Sequence, residues 1–284
     1  MDTVLGRLGR PIKRRARDIF WPGLVGRSGR ADNRGMSQYA SPRRLQVYWW
    51  ALSFQGGVLN AGGILSCGRG VSHVTGFGTS FGTEGAQGHW HAAVGLLSVP
   101  LFFLMGSMAS TFLLEHPKSF SNSRYYGYSI VLGLIAIISL AVSLLGWGGA
   151  FGHFNASLVF RQHYTLLVLL SFACGLQNAL FTERAGTLIR STHMTGPVTD
   201  LGIDLGRYLL IFLGRGQRVE HIKTRRETHI IYLRAIAITM FIVGALLGSM
   251  FFLRFEYLGF MVPSFIACVL FLDSFKVQRR LFFD

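Results

Sequence analysis

Two short constellations in this chain hold side chains that could bind a small polar ligand, and they resemble each other. The first is Gly57-Val58-Leu59-Asn60 followed by His73-Val74-Thr75-Gly76. The second is Gly175-Leu176-Gln177-Asn178 followed by His193-Met194-Thr195-Gly196. Thr75 follows Asn60 by fifteen residues and Thr195 follows Asn178 by seventeen. In a low-dielectric interior Asn offers two donors and an acceptor without charge, and Thr adds a hydroxyl. His can donate, accept or titrate near neutral pH, and Gly permits a turn or a close backbone approach. At a helix break these groups could bind a ligand, or they could satisfy one another and the freed backbone. Duplication favours a site, because two copies related by a pseudo-two-fold axis would bring both sets toward one midplane region. The candidate substrate-binding residues are therefore Asn60, His73, Thr75, Gly76, Asn178, His193, Thr195 and Gly196.

A further group follows the second copy. Pro197 suits the first turn of a helix. Asp200 and Asp204 then share one face near that helix's positive end, and Asp204 can pair with Arg207. Asp200 and Asp204 are the candidates for proton or ion coupling. The alternative is that they solvate the cytoplasmic side of an amphipathic, interfacial helix. His89 and His91 flank Trp90 but have no third ligand at a fixed spacing, so no metal site is expected. Cys67, Cys174 and Cys268 form neither a CxxC nor an even-numbered framework and read as small packing residues. Nucleotide-binding loops, nucleophile elbows and metalloprotease motifs are missing from the sequence. A non-enzymatic protein without a cofactor is the expectation.

The elements that must position these groups are membrane helices. Of 284 residues half are hydrophobic and only 14% charged, with 35 glycines; mean hydropathy is +0.40. A soluble domain usually carries about a quarter charged residues, and a charge in hydrocarbon is costly. Six apolar runs approach the length that crosses a bilayer: Leu45–Leu65, Trp90–Leu114, Tyr126–Ala150, Tyr164–Phe181, Ile230–Leu253 and Tyr257–Leu272. The fold expected is all-α and polytopic, with six transmembrane helices as two inverted three-helix repeats. Repeat one covers about 45–150 and repeat two about 164–273. A basic tail over 1–44 precedes the membrane domain of 45–276, and a basic end over 277–284 follows it. No cleavable signal peptide is expected, because a long polar stretch precedes the first apolar run.

Charge sets the orientation. Of the 28 Lys and Arg, 24 fall in the tail, in the loops after the second and fourth runs, and at the C-terminus. The positive-inside rule then puts both termini in the cytoplasm. The net charge of +15 is accounted for by this topology, and no nucleic-acid partner is expected. The partners expected are lipids with anionic headgroups and, through the Arg-rich tail, other membrane proteins. Gly56, Gly57, Gly62 and Gly63 punctuate the first run and Gly175 the fourth, which predicts helices that break or end near the two signatures. Gly244-Ala245-Leu246-Leu247-Gly248 is a small-xxx-small pattern for close helix approach.

Phe54-Gln55-Gly56-Gly57-Val58-Leu59-Asn60-Ala61-Gly62-Gly63 followed by Ser72-His73-Val74-Thr75-Gly76 resembles the YoaK-like family of bacterial membrane proteins, DUF1275. So does Gly175-Leu176-Gln177-Asn178 followed by Thr192-His193-Met194-Thr195-Gly196-Pro197-Val198-Thr199-Asp200-Leu201-Gly202. The resemblance covers about 45–275 and leaves out the basic tail. It implies a six-helix protein of the bacterial inner membrane and passes on no catalytic residue and no substrate. The leading expectation is a small-solute transporter or channel with its site at the repeat interface. The alternative is a non-catalytic accessory subunit of a larger respiratory or photosynthetic membrane complex, docked through helix faces and the Arg-rich tail.

Overall fold

The computed structural model describes residues 42–115, 124–155, 160–185, 194–213 and 225–283. The tail up to residue 41, His193 and the basic stretch of 214–224 lie outside the described residues. Every regular element among the described residues is helical, as hydrocarbon requires of a chain with no closed barrel, since each backbone polar group must be satisfied within its own segment. In chain order these are α1 (Pro42–Cys67), α2 (Val74–Ala86), α3 (Trp90–Leu96), α4 (Ser98–Glu115), α5 (Arg124–Trp147), α6 (Phe160–Ala185), α7 (Thr195–Phe212), α8 (Arg225–Phe255), a short 3-10 turn (Glu256–Phe260) and α9 (Met261–Phe283).

Among the described residues four stretches are long and apolar enough to cross a membrane: Trp90–Leu114, Gly127–Trp147, Tyr164–Thr182 and Ile231–Lys276. The last is 46 residues long and turns back on itself at Glu256–Phe260. Phe252 near the end of α8 stacks edge-on against Phe260, with ring centroids 4.7 Å apart. Leu233 and Ala237 near its start share a cluster with Ala267 and Leu270 of α9. The first expected run is helical but too polar to qualify by composition. It lies inside the protein, with Val58, Leu59 and Cys67 fully buried, so it needs no lipid-facing apolar coat. Large apolar side chains instead stand exposed on the outer helices, among them Leu104 and Phe112 of α4, Leu144 of α5, Leu246 of α8 and Phe265 of α9.

The helices do not break at their glycines but end near the signatures, α1 at Cys67 between Asn60 and His73 and α6 at Ala185 between Asn178 and His193. α1 is continuous through Gly56, Gly57, Gly62 and Gly63, and α6 through Gly175 and Asn178. The glycines serve close packing instead. Gly57 lies on the carbonyl of Phe241 in α8, where a Cβ would also come within 2.7 Å of the Ala245 nitrogen. Gly244 lies on the carbonyl of Phe54, and a Cβ on Gly248 would meet the Val58 Cα at 3.0 Å. Gly62 then meets Phe252. Phe54, Val58 and Gly62 thus face Gly244, Gly248 and Phe252 at every fourth residue, so α1 and α8 run parallel.

A second crossing has the same form. Gly175 of α6 lies on the carbonyl of Phe103 in α4, and Gly106 of α4 lies on the carbonyl of Phe172. Ser107 Oγ reinforces it by donating to the Gly175 carbonyl at 3.2 Å. Gly95 against Tyr164 extends the contact toward the start of α6, again in parallel. α5 and α9 pack antiparallel along their length: Ser129 and Ser274 share a hydrogen bond of 2.6 Å, and Ser264 donates to the Ala136 carbonyl at 2.8 Å. Small residues at such crossings let backbones meet, which is how helices gain packing energy where no hydrophobic effect drives them together.

Buried apolar side chains form two clusters, one toward each end of the bundle. One contains Leu52 of α1, Leu114 of α4, Ile135 of α5 and Leu180 of α6. The other contains Val58 of α1, Val99 near the start of α4, Val142 of α5 and Leu170 of α6. α1 and α6 are therefore antiparallel, and each of these helices passes from one cluster to the other at its middle.

Candidate functional site

The two signatures take up different ends of the bundle. Asn60 follows Val58 and Leu59 into the second cluster, and α2, which opens after His73, buries Phe77 there. Asn178 lies between Leu176 and Leu180 of the first cluster. Both asparagine side chains are buried. Asn60 Oδ1 accepts a hydrogen bond of 3.0 Å from Ser72 Oγ. Gly70 is pressed against the same group, where a Cβ would stand 3.0 Å from Asn60 Oδ1 and 2.8 Å from His73 Nδ1. Asn60, Ser72, Gly70 and His73 therefore form one knot that ties the end of α1 to the start of α2. Asn178 Nδ2 donates to the Cys174 carbonyl at 3.0 Å. The residue that matches Ser72 in the second copy, Thr192, lies outside the described residues.

The Thr-Gly pairs sit in the first turns of α2 and α7. Thr75 and Thr195 are exposed, and each carbonyl accepts from the threonine one turn later: Thr79 Oγ1 at 3.2 Å and Thr199 Oγ1 at 2.8 Å. Gly76 is exposed and Gly196 half-buried. The structure thus gathers Asn60 and His73, leaves Thr75 and Gly76 open beside them, and puts Asn178, Thr195 and Gly196 in the other half of the protein. The two clusters that the sequence placed across from each other at midplane are separated by the level of Gly57 and Gly175.

The acidic pair has a partner that sequence spacing did not reveal. Arg234 of α8 forks to both carboxylates, Nη2 to Asp200 at 3.0 Å and Nη1 to Asp204 at 2.7 Å. The expected Asp204–Arg207 contact is present but longer, at 3.5 Å. Arg234 is 11% exposed and Asp204 18%, against 46% for Asp200. A planar guanidinium suits such a double contact. Asp200 and Asp204 lie four apart on one face of α7, so a single cation on the neighbouring helix can serve both. His89 Nδ1 stands 3.1 Å from Glu84 Oε2, exposed, and no group of metal-binding side chains occurs among the described residues.

Sequence reasoning also missed a set of buried polar side chains spread along the helices. Ser53 and Gln55 of α1, Ser110 of α4, Ser139 and Ser143 of α5 and Ser171 of α6 have no exposed surface. Neither end of the Gln55 amide, nor any of these hydroxyls, has a hydrogen-bond partner among the described residues. Gln177 is buried as well and donates to the Leu52 carbonyl at 2.8 Å. One signal was available in the sequence. Leu52-Ser53-Phe54 precedes Gly57 and Asn60 at the spacing with which Leu170-Ser171-Phe172 precedes Gly175 and Asn178.

No curated protein and no solved structure matches the chain. One family model does, over residues 48–272 and hence from Tyr48 in α1 to Leu272 in α9. The chain belongs to the family of proteins of unknown function DUF1275.

Proposed function

We propose that this protein is a small-solute transporter or channel built from two inverted three-helix repeats, with its site at their interface and both termini in the cytoplasm. The observation that carries this reading is the pair of glycine crossings. Phe54 and Gly57 of α1 meet Gly244 and Phe241 of α8; Phe172 and Gly175 of α6 meet Gly106 and Phe103 of α4. The correspondence is residue for residue, and each signature helix packs on the second long helix of the opposite half. A pseudo-two-fold axis in the membrane plane accounts for such an exchange, and this symmetry underlies many transporter folds. The bonds behind the crossings match too: Thr111 donates to the Ser107 carbonyl at 3.1 Å and Ser249 to the Ala245 carbonyl at 2.7 Å.

In this reading α8 and α9 are the fifth and sixth crossings and the buried α1 is the first. α2 and α7 lie at opposite faces, the α7 face being cytoplasmic because the basic residues collect there. Asn60 and Asn178 close the two ends of a route between α1 and α6, and the Arg234 fork on Asp200 and Asp204 is the coupling element. The accessory-subunit reading leans on the tail, outside the described residues; the reading argued here leans on helices within them.

Gly82 of α2 and Gly202 of α7 test it. Both are exposed, and a Cβ at either meets nothing within 4 Å. Single Gly82→Cys and Gly202→Cys variants, with the native cysteines replaced, are labelled in sealed vesicles by a membrane-impermeant maleimide. The expected outcome is labelling from opposite faces. Labelling of both from one face removes the inverted repeat and the shared site with it.

A further inference from the structure

We infer that the outward side of the second half of α7 is a docking surface for anionic phospholipid, with its apolar side chains among the acyl chains of the leaflet and Arg207 at the headgroups. This holds for a transporter and for an accessory subunit alike.

For a helix in water, α7 is turned inside out. Pro197, Asp200, Leu201 and Asp204 recur at helical spacing and share one side. Pro197 is buried and the other three are half-buried. On that side Arg234 of α8 takes both carboxylates, at 3.0 and 2.7 Å. The acids of α7 therefore face protein. Its outward side carries Ile203, Leu205, Leu209, Leu210 and Phe212, all exposed, with Phe212 at 84%. A helix on the surface of a water-soluble protein does the reverse, with its charges out and its apolar stripe in. An exposed apolar patch of this kind marks a contact with a membrane or a partner.

The level of α7 fits lipid. The apolar stretch Ile231–Lys276 begins at Ile231, and Arg234 stands about 4.5 Å further along α8 at 1.5 Å per residue. α7 is thus pinned beside that stretch and not beyond its end. α2, which opens at the other Thr-Gly pair, is built the opposite way. It buries Phe77 and exposes Thr75, Gly78, Thr79, Gly82 and Thr83. The first half of α7 is closer to that pattern, with Thr195, Thr199 and Gly202 exposed beside Val198. The lipid-covered surface starts at Ile203, and Gly202 stands at its edge, open to water.

Charge selects the lipid. Arg207 is exposed, and its contact with Asp204 is long at 3.5 Å because Arg234 holds the other oxygen of that carboxylate at 2.7 Å. An arginine stem lies along apolar surface while its head reaches a phosphate. The chain after α7 adds Arg215, Arg218, Lys223, Arg225 and Arg226 against Glu220. Basic residues beside an apolar helix face complement anionic headgroups. A second copy on the same face would instead set one basic cluster against another, which like charges oppose.

The test uses the full-length protein with its native cysteines replaced and the fluorophore NBD attached at Leu205→Cys, at Leu209→Cys or, as the control, at Thr79→Cys of α2. Each is reconstituted in liposomes of phosphatidylcholine and phosphatidylglycerol in which one lipid or the other carries a doxyl quencher on its acyl chain. The expected result is emission at shorter wavelength and loss of fluorescence at Leu205 and Leu209 but not at Thr79. The loss should be greater with quencher on phosphatidylglycerol than on phosphatidylcholine, and Arg207→Gln should shrink that difference. The two α7 positions are independent, so either serves if the other variant does not run as a monodisperse, folded species. Water-like emission without quenching on α7 overturns the docking surface. Shifted emission without quenching, together with a disulfide between copies through Leu209→Cys, puts a second copy on the face and overturns the lipid. Equal quenching by the two lipids overturns the anionic headgroup contact.

Discussion

Gly57 of α1 lies directly on the main-chain carbonyl of Phe241 in α8, with no room for a side chain between the two backbones. Gly175 has the same relation to Phe103 of α4. Together with Gly244 and Gly106, these residues set how closely the central helices approach. Because the backbone itself is the obstacle, a methyl group can be accommodated only if one helix moves away.

Gly57→Ala and Gly175→Ala should therefore lower the unfolding temperature in detergent by similar amounts, corresponding to about 1–3 kcal/mol each for overpacking. Gly82→Ala and Gly202→Ala are the controls. They sit on exposed helix positions where a Cβ meets nothing, and gaining a better helix former should stabilise by roughly 0.5–1 kcal/mol. A thermal-shift series in one detergent checks all four. Tolerance of Ala at Gly57 or Gly175 would mean that the crossings are looser than described.

The Arg234 fork yields an unequal pair of effects. Asp204 is 18% exposed and 2.7 Å from Arg234; Asp200 is 46% exposed and 3.0 Å away. Removing one partner of a buried ion pair costs about 3–5 kcal/mol, while exposed pairs contribute at most about 1 kcal/mol. Asp204→Asn should destabilise clearly more than Asp200→Asn. Arg234→Lys, which cannot present two parallel donors, should resemble the loss of one contact. Hydrogen exchange on α7 is the sensitive readout, since the fork pins α7 to α8; equal protection of α7 in wild type and Arg234→Ala would show that other contacts hold it.

How much of this was legible beforehand differs by element. The outer helices were plain from composition, because a lipid-facing surface must be apolar along its whole length, as Leu104, Phe112, Leu144 and Leu246 show. α1 was harder. Its glycines read as breaks by helix propensity, but tertiary packing overrode the propensity and the glycines became contact points with α8. The family was legible from the signatures, which are local in sequence. Arg234 as the partner of Asp200 and Asp204 was not, since it lies on another helix and no spacing rule links α7 to α8. Nor was the burial of Gln55: an amide without a partner looks in sequence like any Gln in an apolar run, and only its complete burial sets it apart.

The Asn60–Ser72 bond gives a prediction about the first signature. Both groups are buried and 3.0 Å apart. Asn60→Ala leaves the Ser72 hydroxyl without its acceptor, at a cost of about 1–3 kcal/mol. Ser72→Ala should cost about as much by stranding the Asn60 carbonyl oxygen. The Asn60→Ala/Ser72→Ala double variant should then be less destabilised than the sum of the singles, and a double-mutant cycle on thermal unfolding measures the difference. Strict additivity would show that the two side chains are not coupled.

Cysteine reactivity reports on the continuity of α1. Cys67 is fully buried at the end of that helix, its Sγ donating to the Gly63 carbonyl at 3.0 Å. Cys174 is equally buried beside the Gly175 crossing, and Cys268 is exposed on α9. In detergent, N-ethylmaleimide should modify Cys268 and spare Cys67 and Cys174, because a thiol shielded by packed helices is inaccessible to the reagent. After denaturation all three should react, as intact-mass measurement would show. Rapid modification of Cys67 in the folded protein would place a break at Gly62 and Gly63 after all, and would open the end of α1 on which the Asn60 knot depends.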